Sequence, residues 1–268
     1  MTTTELKALG RKSPRRDGKQ RPDLAALVLP PHLELEHPLV HTPSFREAVT
    51  AMRGLLNRNK IGLIDGPPGT GKTTFAQWAA EKCDRPSAIA VMPENPAPLD
   101  LLRISITAVT GHNPAGENKT EMEAELVQAL GEWQGLLILD EVQNVRIKGL
   151  TEARYIHDIT RPRFPLLLVG YGAMETVREN TPLDSRIRLR RTFRVLRGQD
   201  MFDTVRAIDA RFAAVPDDVL RYADDKFARG NLRRWVDLVE TLQDWDVTAA
   251  TRDDFDDAIV SIDEEAAA

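Results

Sequence analysis

Eight consecutive residues, Gly66-Pro67-Pro68-Gly69-Thr70-Gly71-Lys72-Thr73, restrict what this chain can fold into more than any other stretch. Its glycines let the backbone bend closely enough to aim several N–H groups at one anion. Ahead of it, Lys60 to Asp65 reads as a short buried strand; behind it, Thr73 to Ala80 reads as a helix, whose positive end adds to the same field. A strand, a glycine-rich turn closing on Lys-Thr, and a helix make up the phosphate-binding P-loop pattern. With that context on both sides, a merely structural glycine turn is a poor alternative. The pattern predicts a nucleotide-binding segment formed by Gly66, Pro67, Pro68, Gly69, Thr70, Gly71, Lys72, Thr73 and Thr74. Lys72 is expected at the β- and γ-phosphates and the Thr73 hydroxyl on Mg²⁺, so ATP and Mg²⁺ are the expected cofactors.

The rest of the chain supplies a setting for such a loop. Ser87 to Met92, Leu136 to Leu139 and Pro165 to Val169 are short apolar runs that read as buried strands. Helical stretches fall between them, near Leu101 to Val109 and Thr120 to Glu132, after an earlier one from about Phe45 to Asn57 capped by Thr42 or Ser44. Arg186 to Val195 alternates, with Ile187, Leu189, Phe193 and Val195 on one side and mostly arginines on the other, as a half-exposed strand should. The expected fold is therefore α/β: a P-loop NTPase with a five-stranded parallel sheet flanked by helices. Asp23 to Leu29 is an apolar run stopped by Pro30-Pro31, whose rings discourage helix continuation. Beyond residue 199 only helices are expected, Met201 to Phe212, Asp217 to Phe227, Leu232 to Leu242 and Arg252 to Ile262, forming a small C-terminal helical lid. The chain then divides into a basic arm (1–22), a core with an N-terminal linker (23–197) and a lid with an acidic tail (198–268).

Charge and composition narrow the function classes. A net charge of −5 conceals a basic first segment, Lys7, Arg11, Lys12, Arg15, Arg16, Lys19 and Arg21 against Glu5 and Asp17, and a strongly acidic end. No apolar run approaches the roughly 18 residues of a membrane span, and the first 30 residues lack a signal-peptide core, so no membrane association and a cytoplasmic location are expected. The single Cys83 excludes an intrachain disulfide.

Asp140-Glu141 completes the catalytic chemistry, because it closes the third buried strand. An Asp there beside a P-loop holds Mg²⁺ together with Thr73, and Glu141 can polarise an attacking water as general base. With these residues in place the chain resembles the AAA+ ATPases over about residues 40–245. Asp184-Ser185-Arg186 resembles their finger segment, which implies that Arg186 acts in trans at a neighbouring subunit's nucleotide. Gly230-Asn231-Leu232-Arg233 resembles their sensor-2 motif, which implies that Arg233 reaches the γ-phosphate from the lid. One departure stands out. The fourth strand ends Val169-Gly170-Tyr171-Gly172, where the superfamily usually carries a polar Asn, Thr or Ser, so Tyr171 would have to substitute through its hydroxyl. Slow, partner-coupled hydrolysis would follow from that.

Asp140-Glu141-Val142-Gln143-Asn144, Val169 to Met174 and His41 to Phe45 together resemble the transposition regulators of the phage Mu B and TniB type. That resemblance implies a homo-oligomeric ring or helical filament that assembles on duplex DNA without sequence choice and recruits a transposase. The expected DNA contacts are Arg11, Lys12, Arg15 and Arg16 in the arm and Arg146 and Lys148 in a loop after the Asp-Glu pair, with Arg188, Arg190 and Arg194 as a further basic face. Two alternatives stay open: a helicase loader or replication initiator, disfavoured by an aromatic content of 6%, and a nucleotide-controlled signalling or defence switch that binds no DNA.

Overall fold

The computed structural model describes residues 24–30, 38–97 and 99–267. Five parallel strands form the sheet: β2 (Ile61–Asp65), β3 (Ser87–Val91), β4 (Leu136–Asp140), β5 (Leu166–Gly170) and β6 (Ile187–Thr192). A sixth, β1 (Val28–Leu29), pairs antiparallel with β3, giving the order β1-β3-β4-β5-β2-β6. The apolar run before Pro30 is thus not a helix. It makes one 3-10 turn (Ala25–Leu27) and then a two-residue strand on the sheet's edge. Pro30 ends the strand, since it has no N–H to continue the ladder, and the free edge of β3 captures the two residues before it.

Helices cover both faces. α1 (Pro43–Asn57) and α2 (Lys72–Lys82) lie on one side, where Phe45, Phe75, Ala79 and Phe193 pack under β2, β4 and β5. On the other side are α3 (Asp100–Thr110), α4 (Lys119–Trp133), α5 (Arg146–Ile159), α6 (Ala173–Arg178) and α7 (Thr181–Asp184). Thr42 caps α1, its hydroxyl accepting from the Phe45 amide at 3.2 Å. The central strands β4 and β5 are buried along their whole length, which explains why they read as continuous apolar runs and not as alternation.

Residues from Leu196 onward build a separate apolar cluster around Trp235, Phe212 and Phe255. It consists of α8 (Gly198–Ile208), α9 (Asp217–Ala223), α10 (Leu232–Asp244) and α11 (Arg252–Ala267). The first expected helix here is broken. Asp209 adopts extended backbone and its carboxylate accepts from the Arg211 amide at 2.8 Å, so a 3-10 turn (Ala210–Ala214) starts in place of another α-helical turn. Among the described residues no helix is long and apolar enough to cross a membrane.

Candidate nucleotide site

Parallel strand direction puts the chemistry at one end of the sheet. β2 and β4 point the same way, so the turn after Asp65 and the pair Asp140-Glu141 both leave the carboxyl ends of parallel strands. Gly69 and Gly71 take left-handed backbone, φ +72° and +88°, and Gly71 is the residue before α2. That geometry turns the chain back on itself so that the first amides of α2 face the cradle. Gly66 donates its N–H to Asp65 Oδ1 at 2.8 Å, and the buried Thr70 donates its hydroxyl to the Pro67 carbonyl at 2.8 Å. Pro68 lies exposed at the lip, and Thr74 is half-buried in the first turn of α2.

Lys72 is 8% exposed, and its Nζ rests on the Pro67 carbonyl at 2.8 Å. Burial lowers its pKa, opposed by the carboxylates of Glu141, Asp140 and Asp65, while Arg233 adds to the lowering. The same electrostatic neighbourhood therefore joins the two motifs and the start of α10. Thr73 donates its hydroxyl to Asp140 Oδ2 at 2.7 Å, and the Glu141 amide donates to Asp140 Oδ1 at 2.8 Å. Thr73 and Asp140 are hard oxygen donors within one hydrogen bond of each other, the donor set that suits Mg²⁺ shared with phosphate oxygens. Glu141 comes next in a left-handed conformation, φ +55°, which swings its side chain away from the line of β4.

Asp140 is 2% exposed, and that burial raises its pKa against the two hydrogen bonds it accepts. A raised carboxyl pKa in the folded state means that the native protein binds the proton more tightly than the unfolded chain. Its contribution to stability is then present below the unfolded value of about 4 and lost as pH rises through the folded one. Asp140→Asn keeps an acceptor for the Glu141 amide and turns Nδ2 toward the Thr73 hydroxyl. It is expected to leave the nucleotide-free protein at least as stable near neutral pH and to flatten the loss of stability that sets in as pH rises above about 4. Thermal melts across that range check this; a variant that melts several degrees lower throughout would show that the carboxylate is stabilising.

The C-terminal helices reach the loop directly. The Arg233 amide donates to the Gly69 carbonyl at 3.1 Å, and Asn231 Nδ2 donates to the Pro68 carbonyl at 3.1 Å. Asn231 also caps α10, its Oδ1 accepting from the amides of Arg233 and Arg234. Its position before an amphipathic helix was the available signal for a cap, but not for a contact 163 residues away.

Other expected site residues stand elsewhere. Arg186 lies at the amino ends of the strands, since Ile187 pairs with Ile61 and Thr192 with Asp65. Roughly 16 Å of strand rise separates it from this chain's own P-loop, so any role at a nucleotide must be in trans. There its Nε meets Asp158 Oδ1 at 3.2 Å, and Asp158 also pairs with Arg154 at 2.7 Å. Tyr171 is 56% exposed, and it is the backbone amide that is engaged, donating to Gln143 Oε1 at 3.0 Å. Arg146 and Lys148 are exposed, but they form the first turn of α5 and not a loop. Arg190 is paired with Asp184 at 2.9 Å, while Arg188 and Arg194 are exposed. Arg11, Lys12, Arg15 and Arg16 lie outside the described residues.

Comparison with known proteins agrees with this geometry. The family model of the AAA domain matches residues 56–176, from the end of α1 into α6. The ATP-dependent target DNA activator B of Escherichia phage Mu is 29% identical over 139 residues, 51% of this chain and 44% of that protein. The chain thus matches less than half the length of that relative. Among solved structures, Cdc6p from Pyrobaculum aerophilum superposes with a TM-score of 0.62 at 17% identity, covering 78% of this chain and 64% of that one. A Walker-type ATPase of Pyrococcus abyssi does so with a TM-score of 0.60 at 16% identity, covering 85% and 72%. With the loop and the Asp-Glu pair at the carboxyl ends of parallel strands, these likenesses show a P-loop ATPase with an AAA domain matched over residues 56–176, similar over part of its length to the phage Mu target DNA activator.

Proposed function

We propose that this protein is a Mg²⁺- and ATP-dependent DNA-binding ATPase that assembles on duplex DNA and directs a transposase to target sites. The observation that carries this reading is the continuity between β4 and α5. Asp140 ends the strand, Glu141 follows it, and only a 3-10 turn (Val142–Val145) separates them from the exposed Arg146 and Lys148. A change at the nucleotide is thereby a few residues from a basic patch able to meet phosphates along a duplex. The likeness to a target DNA activator supports the same direction.

In this reading the P-loop amides and Lys72 hold the phosphates, and Thr73 and Asp140 hold Mg²⁺, which supplies charge neutralisation. Glu141 orients and deprotonates water. Arg233 acts from α10, with the C-terminal helices serving as a lid, and Arg186 acts across a subunit boundary in a ring or filament. The basic arm adds further phosphate contacts.

Sedimentation of the full chain with labelled duplex tests the reading in ATP, ADP and no nucleotide. Large ATP-dependent complexes that shrink in ADP are expected, with binding that weakens steeply with salt. Arg146→Ala/Lys148→Ala should weaken DNA binding uniformly across sequences while leaving nucleotide affinity unchanged. Preference for single strands would favour a helicase loader, and ATP binding without DNA association would favour a protein-directed switch.

A further inference from the structure

The tip of β5 poses a specific problem. Its last residue, Gly170, has no side chain, and the next, Tyr171, points its ring into solvent. Yet that tip adjoins β4, where Glu141 emerges. A polar group does stand there, and it comes from the segment after β4. Gln143 Oε1 accepts from the Tyr171 amide at 3.0 Å, and Gln143 Nε2 donates to Glu141 Oε2. One amide therefore uses both ends, one on backbone and one on the carboxylate.

Two neighbouring features fit this placement. A Cβ on Gly170 would run into Gln143 Oε1, so the bare tip of β5 is the space the amide fills. Asn144, the next residue, donates Nδ2 to the Met92 carbonyl at 2.9 Å, just past the end of β3. The 3-10 turn that carries Gln143 is thereby tied to β3 and β5 on either side of β4, and its amide has little freedom to drift.

We propose that Gln143 is the positioning residue for Glu141, supplying from the turn after β4 the polar group that the tip of β5 lacks. This rests on the reading of Glu141 as the base that activates water. The amide orients the carboxylate by holding one oxygen, leaving Oε1 to take a proton, and it ties that orientation to the Tyr171 backbone. A movement of the β5 tip is then felt at the carboxylate without any side chain on β5 itself.

The test compares Gln143→Ala, Gln143→Glu and Gly170→Ala with Glu141→Gln in the full chain, measuring steady-state ATP hydrolysis and affinity for a fluorescent ATP analogue. Gln143→Glu keeps the length of the side chain and an acceptor for the Tyr171 amide, but it cannot donate to Glu141. Each of the three variants is expected to lose about tenfold to a hundredfold in kcat, as misplacement of a catalytic group by about 1 Å does, with nucleotide affinity within about twofold of wild type. Wild-type kcat in Gln143→Glu would overturn the proposal and reduce Gln143 to a tie between strands. Should Gly170→Ala fail to fold, Gln143→Glu decides alone. Wild-type hydrolysis in Glu141→Gln would instead overturn the role given to Glu141, which separates the two failures.

Discussion

Glu141→Gln is expected to lower ATP hydrolysis by about 10²–10⁴-fold while nucleotide affinity stays near wild type. Lys72→Ala is expected to weaken nucleotide binding by about 3 kcal/mol or more, roughly a hundredfold. The contrast follows from where the two groups stand. Lys72 is buried among the carboxylates of Glu141, Asp140 and Asp65, with the Pro67 carbonyl as its sole hydrogen-bond acceptor among the described residues. It is a buried positive charge held inside the cradle, and removing it leaves those carboxylates facing incoming phosphates uncompensated. Glu141 stands off the line of β4 and holds none of the loop's own hydrogen bonds, so its amide variant should leave the cradle intact. If assembly on DNA follows nucleotide binding, Glu141→Gln accumulates in the assembled state and Lys72→Ala fails to reach it. Single-turnover hydrolysis, nucleotide titration and sedimentation on duplex, run side by side, check both. Normal assembly by both variants would exclude nucleotide-gated assembly.

Trp235→Ala is expected to cost about 3–5 kcal/mol and to loosen the C-terminal helices before the sheet. The indole is fully buried between Phe212 and Phe255, with ring centroids 6.4 and 6.2 Å away, and Nε1 donates to Asp224 Oδ1 at 3.0 Å. Truncation would leave a cavity in the C-terminal apolar cluster and strip one donor from a carboxylate whose pKa is already raised by burial. Because α10 carries Asn231 and the Arg233 amide onto Pro68 and Gly69, nucleotide affinity should fall with it. Trp235→Phe keeps the ring packing and loses the N–H, so it should cost only about 1–2 kcal/mol. Limited proteolysis after residue 196, together with calorimetry, distinguishes a loosened C-terminal cluster from global unfolding.

The parallel strands were legible because buried β-strands concentrate apolar residues: Leu136 to Leu139 and Pro165 to Val169 admit few other readings. The P-loop was legible because its chemistry demands glycine and Lys-Thr at fixed spacing. α5 was not legible. Its first turn carries exposed Arg146, Ile147 and Lys148 and then Gly149, its buried face includes His157, and it starts from a left-handed Arg146. β1 escaped because two residues carry no periodicity; the free edge of β3 creates it. The links that matter at the site, Gln143 to Tyr171 and Asn231 to Pro68, join positions 28 and 163 residues apart. A capping Asn and a polar residue in a turn are ordinary locally, and only the fold makes them neighbours.

The edges of the sheet carry one more consequence. β1 closes the β3 side, and β6 on the other side presents Arg188, Arg190 and Arg191 along a strand with an irregular register against β2. Both borders discourage an extra strand from another chain, since the outer strand on one side is only two residues long and the other is charged and locally kinked. Among the described residues, contacts between copies would then fall to side chains and bound phosphates, which can be released and remade. Backbone zippering, which stalls disassembly in β-rich aggregates, finds little foothold among the described residues, and the proposed assembly on DNA would need that reversibility.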